Sequence, residues 1–166
     1  MARGLLITLE GGEGAGKSTQ FARLAPRISA LGREVVTTRE PGGSPGAEAI
    51  RALLVQGAPD RWSPTAETLL IYAARRDHIE RTIQPALERG AVVICDRFAY
   101  STCAYQGAGG GAPADLIEAL ERHVLGALRP DLTVILDLDP GLGLERAARR
   151  GQGETRFEAR DLAFHR

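Results

Sequence analysis

The stretch LLITLEGGEGAGKSTQ, residues 5–20, sets an apolar run, a glycine-rich turn and a lysine in the order that decides the fold. Within it, Gly11-x-x-x-x-Gly16-Lys17-Ser18 follows Leu5, Leu6, Ile7 and Leu9 and precedes a helix-like run from Phe21 to Leu31. Strand, loop and helix in that sequence let successive backbone amides converge on phosphate oxygens at a helix N-terminus. Gly11, Gly12, Gly14 and Gly16 permit the left-handed backbone and the close approach to a ligand that such a cradle needs. The expected phosphate-binding loop therefore runs from Gly11 and Gly12 through Glu13, Gly14, Ala15, Gly16, Lys17 and Ser18 to Thr19. Lys17 would reach the outer phosphates as a point charge, and the Ser18 hydroxyl would sit on Mg²⁺. Lys17 is the only lysine of the chain, and asparagine is absent. A compact, flexible ammonium stands where a planar guanidinium would serve poorly.

Composition bounds what surrounds this loop. With 166 residues and 43% hydrophobic content, the chain suits one domain, 1–166, with a real core. A formal net charge of zero gives no global field toward nucleic acid or an anionic membrane, so neither partner is expected. No apolar run approaches a membrane span, and the N-terminus lacks signal-peptide organisation, which predicts a cytoplasmic protein. Cys95 and Cys103 have no C-x-x-C spacing and read as reduced packing residues. His78, His123 and His165 show no triad or metal spacing and read as helix-surface residues.

Apolar segments at Leu5–Leu9, Glu34–Thr38, Ala91–Cys95 and Leu132–Leu138 alternate with helical stretches. Their continuous hydrophobicity, as in AVVIC and LTVILDL, suits strands buried on both faces of a parallel sheet. The expected fold is α/β and doubly wound, with helices at about 16–31, 45–56, 64–89, 114–127, 140–150 and from 157 onward. Gly32, Gly57, Gly90 and Gly151 act as stops, and Ser63-Pro64 marks a helix start. Gly107 to Gly111 reads as a turn or a rim of the site. In such sheets ligands gather at the carboxyl ends of strands. Each apolar run here ends in charge: Glu10 and Glu13, Arg39 and Glu40, Asp96 and Arg97, Asp137 and Asp139.

LEGGEGAGKST, TREPGGS, YAARRDH, CDRFAYSTCAYQG, RPDLTVILDLDP and RRGQGETRFE, in this order, resemble the thymidylate kinases over residues 4 to 160. The resemblance implies a P-loop kinase moving the γ-phosphoryl of ATP to dTMP with Mg²⁺, working as a homodimer. It implies that Lys17 and Ser18 serve the ATP phosphates and metal, with Glu13 near the acceptor sugar and metal. Arg97 would grip the acceptor phosphate, a task suited to bidentate arginine. Asp96 would lie beside it, tied to metal water or to Lys17. Arg75 would read the thymine edge, with Ser101, Thr102, Tyr105 and Gln106 as the wall around base and sugar. Arg51 stands open between a phosphate ligand and a solvated helix charge.

Residues 39–90 would include the acceptor region, and 145–157 would form a mobile lid. Its cations Arg146, Arg149, Arg150 and Arg156 would stabilise the transferred group; the competing reading is a solvated helix end. The P-loop's variable positions contain no arginine, which resembles the subtype in which the lid supplies the catalytic one. Ile71 occupies the position of the family's base-stacking phenylalanine, leaving either a weakened base contact or compensation from Tyr72. Family members continue through a further helix, a fifth strand and an adenine-cupping loop, so the resemblance implies a chain lacking its last strand, with lowered stability or reliance on dimerisation. Two rival readings keep the fold: another nucleoside monophosphate kinase, and a truncated nucleotide-binding chain with little turnover. A GTPase-type switch fares worse, since without asparagine there is no N-K-x-D guanine motif.

Overall fold

A parallel sheet organises the chain in the computed structural model, which describes residues 3–150 together with Arg156 and Phe164. Its four strands are β1 (Leu5–Glu10), β2 (Val35–Arg39), β3 (Val92–Asp96) and β4 (Leu132–Ile135), in the order β2-β3-β1-β4. β1 pairs with β3 and β4, and β2 pairs with β3. The glycine-rich loop thus leaves the centre of the sheet. Because β3 inserts between β1 and β2, the crossover direction reverses beside β1, and the crevice at that reversal is where such sheets bind ligands.

Alternation along β3 explains why its run is apolar throughout. Val93 and Cys95 pack with Leu6, Tyr72, Ile83, Phe98 and Ile117 on one face, while Val92 and Ile94 join Leu9, Phe21, Leu24 and Ile28 on the other. Both faces are covered, so neither parity can be polar. Helix α1 (Lys17–Ser29) covers the second face, and α3 (Pro64–His78), α4 (Gln84–Glu88) and α6 (Ala114–Leu125) cover the first. The remaining helices are α2 (Pro45–Val55), the short α5 (Ala99–Thr102) and α7 (Pro140–Arg150). Among the described residues no helix is long and apolar enough to cross a membrane.

Several expectations change in detail. The stretch 64–89 is not one regular helix: α3 and α4 are joined by a π-type turn, Ile79–Ile83, in which the Gln84 amide bonds back to the Ile79 carbonyl. Pro85, next in the chain, has no amide for the Arg81 carbonyl and its ring would crowd that oxygen, so the wider turn relieves the clash. β4 stops at Ile135 rather than Leu138. Residues 99–108 are helical, α5 running into a second π-type turn, Cys103–Ala108, which the glycine run only closes. The start at Ser63-Pro64 is as read, the serine hydroxyl accepting from the Ala66 amide at 3.3 Å. Cys95 is buried, while Cys103 is exposed on the π-type turn and is not a packing residue. The helix expected from 157 onward and the stop at Gly151 lie outside the described residues.

Candidate active site

The register brings three strand ends level: Leu9 and Arg39 both pair with Asp96. The amides that follow extend this ladder. Glu40 N–H donates to Asp96 O and Arg97 N–H to Leu9 O, both at 2.9 Å. A cleft of about 590 Å³ opens over these ends.

At its donor side lies the glycine loop. Gly16, in left-handed backbone at φ 94°, caps α1 and directs the helix N-terminus at the cleft. Gly14 has a packing reason to be glycine, because a Cβ there would fall 2.2 Å from the Gly143 carbonyl oxygen. That contact presses α7 against the loop. Lys17 is buried, its Nζ donating to Gly11 O and Gly12 O at 2.8 Å each. Burial and then the Arg97 charge lower its pKa to about 8, while Glu13, Asp96 and Glu10 pull the other way.

The Asp96–Arg97 pair forms the floor. Arg97 has φ 69° and projects its guanidinium across the loop. Nη2 donates to Glu13 Oε1 at 2.6 Å and to the Tyr105 hydroxyl at 3.2 Å, and Nη1 to Gly11 O and Ser101 Oγ. Burial works against the charge, yet Tyr105 and Glu13 outweigh it and raise the Arg97 pKa. Asp96 Oδ1 is buried with no hydrogen-bond partner. Glu10, behind the pair, accepts from the Phe98 amide at 2.9 Å and from Ser101 Oγ at 2.5 Å, and burial raises its pKa.

The opposite wall comes from α3 and α5. Arg75 is 2% exposed, with Nε donating to Glu40 Oε2 at 2.6 Å and Nη2 to Phe98 O and Thr102 Oγ1. Its Nη1 is buried and unpartnered. Ile71, Gln106 and Arg51 line the same cleft, the last donating to the Pro41 carbonyl.

Of the residues read from the sequence, the structure gathers Glu13 to Ser18, Arg51, Ile71, Arg75, Asp96, Arg97, Ser101, Thr102, Tyr105 and Gln106 around one cleft. Gly11 and Gly12 contribute carbonyls to Lys17, and Thr19 is exposed beyond the loop. Arg149 lies outside the cleft lining on the solvated side of α7, 4.0 Å from Glu145. Arg150 closes α7, its side chain and the lid positions 151–155 and 157 lying outside the described residues. Arg156 departs from the lid reading: it is 1% exposed, donating to Glu67 and to the carbonyls of Leu54, Ala58 and Pro59. A guanidinium so fully engaged is an anchor.

Glu10 and Glu40, read from the sequence only as charged strand ends, hold Ser101 and Arg75 respectively. Sequence reasoning missed Glu67 and misread His78, which is 0% exposed rather than on a helix surface. The available signal was spacing, since Ile71, Arg75 and His78 recur at helical intervals on one face of α3.

The sequence model of the family described as thymidylate kinase matches residues 9–166. Thymidylate kinase of Caulobacter vibrioides is 68% identical over 165 residues, covering 99% of this chain and 79% of that protein. That of Bradyrhizobium diazoefficiens is 54% identical, over 98% of this chain and 72% of that protein. The crystal structure of thymidylate kinase from Ehrlichia chaffeensis superposes with a TM-score of 0.76 at 39% identity, covering 87% of this chain and 77% of that one. With a parallel sheet, a glycine loop leaving its central strand and an arginine-lined cleft over the strand ends, the chain belongs to the thymidylate kinase family.

Proposed function

We infer that the chain transfers the γ-phosphoryl group of ATP to dTMP, giving dTDP on the way to dTTP. The observation that carries this reading is the single cleft shared by the phosphate loop, the Asp96–Arg97 pair and Arg75. Phosphoryl transfer asks a protein to hold two nucleotides in line and to stabilise charge on the group in flight. Lys17 and the loop amides serve the ATP phosphates. Arg97, with Arg51 beside it, takes the acceptor phosphate, and Tyr105 and Glu13 fix the Arg97 guanidinium from the other side. Arg75, Ile71, Ser101, Thr102 and Gln106 surround the acceptor base and sugar, and the unpartnered Arg75 Nη1 supports a carbonyl acceptor on that base.

Mg²⁺ fits the residues present. Asp96 offers a buried oxygen with no protein partner, with Ser18 and Glu13 on the same cleft. Magnesium is held by one or two carboxylates, water and substrate phosphates rather than by an all-protein cage. When bound it would neutralise charge on the phosphates. Arg149 and Arg150, with α7 packed on the loop through Gly143, are assigned to the lid 145–157 and to the transferred group. Arg156 is left out of that set. The reading includes a cytoplasmic protein that acts on nucleotides and pairs as a homodimer, the pairing supported by the large apolar side chains that Leu69 on α3 and Tyr100 on α5 each leave exposed.

The test is ADP formation from Mg-ATP with dTMP, dUMP, dCMP, AMP and GMP offered separately. Formation dependent on dTMP is expected, and formation with another acceptor alone overturns the base assignment.

A further inference from the structure

Glu40, which lines the cleft with Arg75, begins a row of buried polar groups that continues to His78 and Thr38, neither of which lines the cleft or takes part in the roles above. Glu40 Oε2 accepts from Arg75 Nε at 2.6 Å, and Glu40 Oε1 lies 3.0 Å from His78 Nδ1. His78 Nε2 in turn lies 2.6 Å from Thr38 Oγ1. All four residues are at most 9% exposed, and Glu40 is 5% exposed. The elements supply them in pairs: Thr38 and Glu40 at the end of β2, Arg75 and His78 one turn apart on α3.

The directions of these bonds follow from chemistry. An ionised carboxylate only accepts, so His78 carries a proton on Nδ1 and donates it to Glu40. In that tautomer Nε2 accepts from the Thr38 hydroxyl. Gly43 closes the outer side, since a Cβ there would lie 2.3 Å from Thr38 Oγ1 and 2.4 Å from His78 Nε2. Each member has one place for its bond.

We propose that His78 and Glu40 are positioning residues of the acceptor site, fixing the Arg75 guanidinium so that Nη1 stays unspent for the acceptor base. Nε and Nη2 are consumed by Glu40, Phe98 and Thr102, which sets the plane of the fork. Glu40 can hold that plane only while its second oxygen is held, and His78 holds it. Removing the Nδ1 proton donor leaves a buried carboxylate oxygen unsatisfied, and Glu40 turns to recover a partner at the expense of the Arg75 bond. Arg75 donates and never accepts, so it favours thymine, with a carbonyl at position 4, over cytosine, with an amino group there.

The proposal rests on the reading that Arg75 faces the acceptor base. The experiment is steady-state kinetics of the full chain with dTMP and dCMP, alongside thermal melting, for His78→Leu, His78→Asn, Thr38→Val and Arg75→Gln. His78→Leu should raise KM for dTMP about tenfold and lower the dTMP over dCMP preference to match, with KM for ATP unchanged. His78→Asn, whose amide donates from nearly the place of Nδ1, should restore most of both. Thr38→Val, nearly isosteric, should shift both in the same direction by about threefold. It carries the test if His78→Leu does not fold. In the Arg75→Gln background, His78→Leu should add nothing to the loss of preference.

His78→Leu, or Thr38→Val in its place, with the parent KM for dTMP and the parent preference would overturn the proposal. So would a His78→Asn no better than His78→Leu, or a fall in kcat and a rise in KM for ATP in step with KM for dTMP. An unchanged preference in Arg75→Gln would instead overturn the reading of Arg75 itself.

Discussion

Arg97 shows how a single residue carries both a local cost and the chemistry. Its φ of 69° lies in backbone that a side chain enters at a cost of about 1–2 kcal/mol, and it is the only non-glycine residue there among those described. The strain persists because four partners hold the guanidinium in place. Arg97→Gly and Arg97→Ala should both raise KM for dTMP and cut turnover at least a hundredfold. Their stabilities should separate, with the glycine variant more stable by about 1 kcal/mol, because only it is relieved of the strain. Denaturant melts of the pair decide this: equal midpoints would deny the strain, and unchanged acceptor dependence would deny the role. Residues such as Lys17 were legible in the sequence because their partners lie within six positions. For His78 the helical interval from Arg75 marks its face, but its partner Glu40 is 38 positions away and no local spacing reports that distance.

Among elements, α3 receives Arg156 through one buried ion pair, and the same guanidinium reaches the Leu54 carbonyl on α2. Glu67, in the first turn of α3, receives Arg156 on one oxygen and the Gln106 amide on the other, the latter at 2.8 Å. Leaving Arg156 buried without its counter-charge should cost on the order of 3 kcal/mol, so Glu67→Gln should lower the urea midpoint markedly. An unchanged midpoint would mean the pair is not formed in solution. If Arg156 instead served the transferred phosphoryl group, Arg156→Met would abolish turnover in a chain of parental stability. β3 and the long helices were readable because burial on two faces and 3.6-residue periodicity mark the sequence directly, whereas β4 reads as equally apolar yet leaves Leu132 53% and Ile135 67% exposed. The π-type turns were not expected. The first had a local sign in Pro85, which a regular helix over 64–89 could not accommodate, whereas the second, where α5 meets the glycine run, has none in propensity.

The whole molecule has no net charge, yet its cations are not evenly spread in kind: twenty are arginine and one is lysine, from a total of 21. The fold takes that lysine to the N-terminus of α1 and buries its amine in the cleft, with a pKa lowered to about 8. Acylating reagents react with amines in their neutral form and leave guanidinium groups alone. Beyond the α-amine, such a reagent has one amine target in this chain, and that target is the phosphate loop. Intact-mass measurement after brief treatment near pH 8, with hydroxylamine to strip thioesters and phenyl esters, should show a single side-chain amide adduct, suppressed by saturating ATP and accompanied by loss of turnover. An adduct that forms equally with ATP present would place the amine away from the nucleotide. Occupancy of the donor site can thus be read from one mass shift on the natural sequence, with no residue replaced.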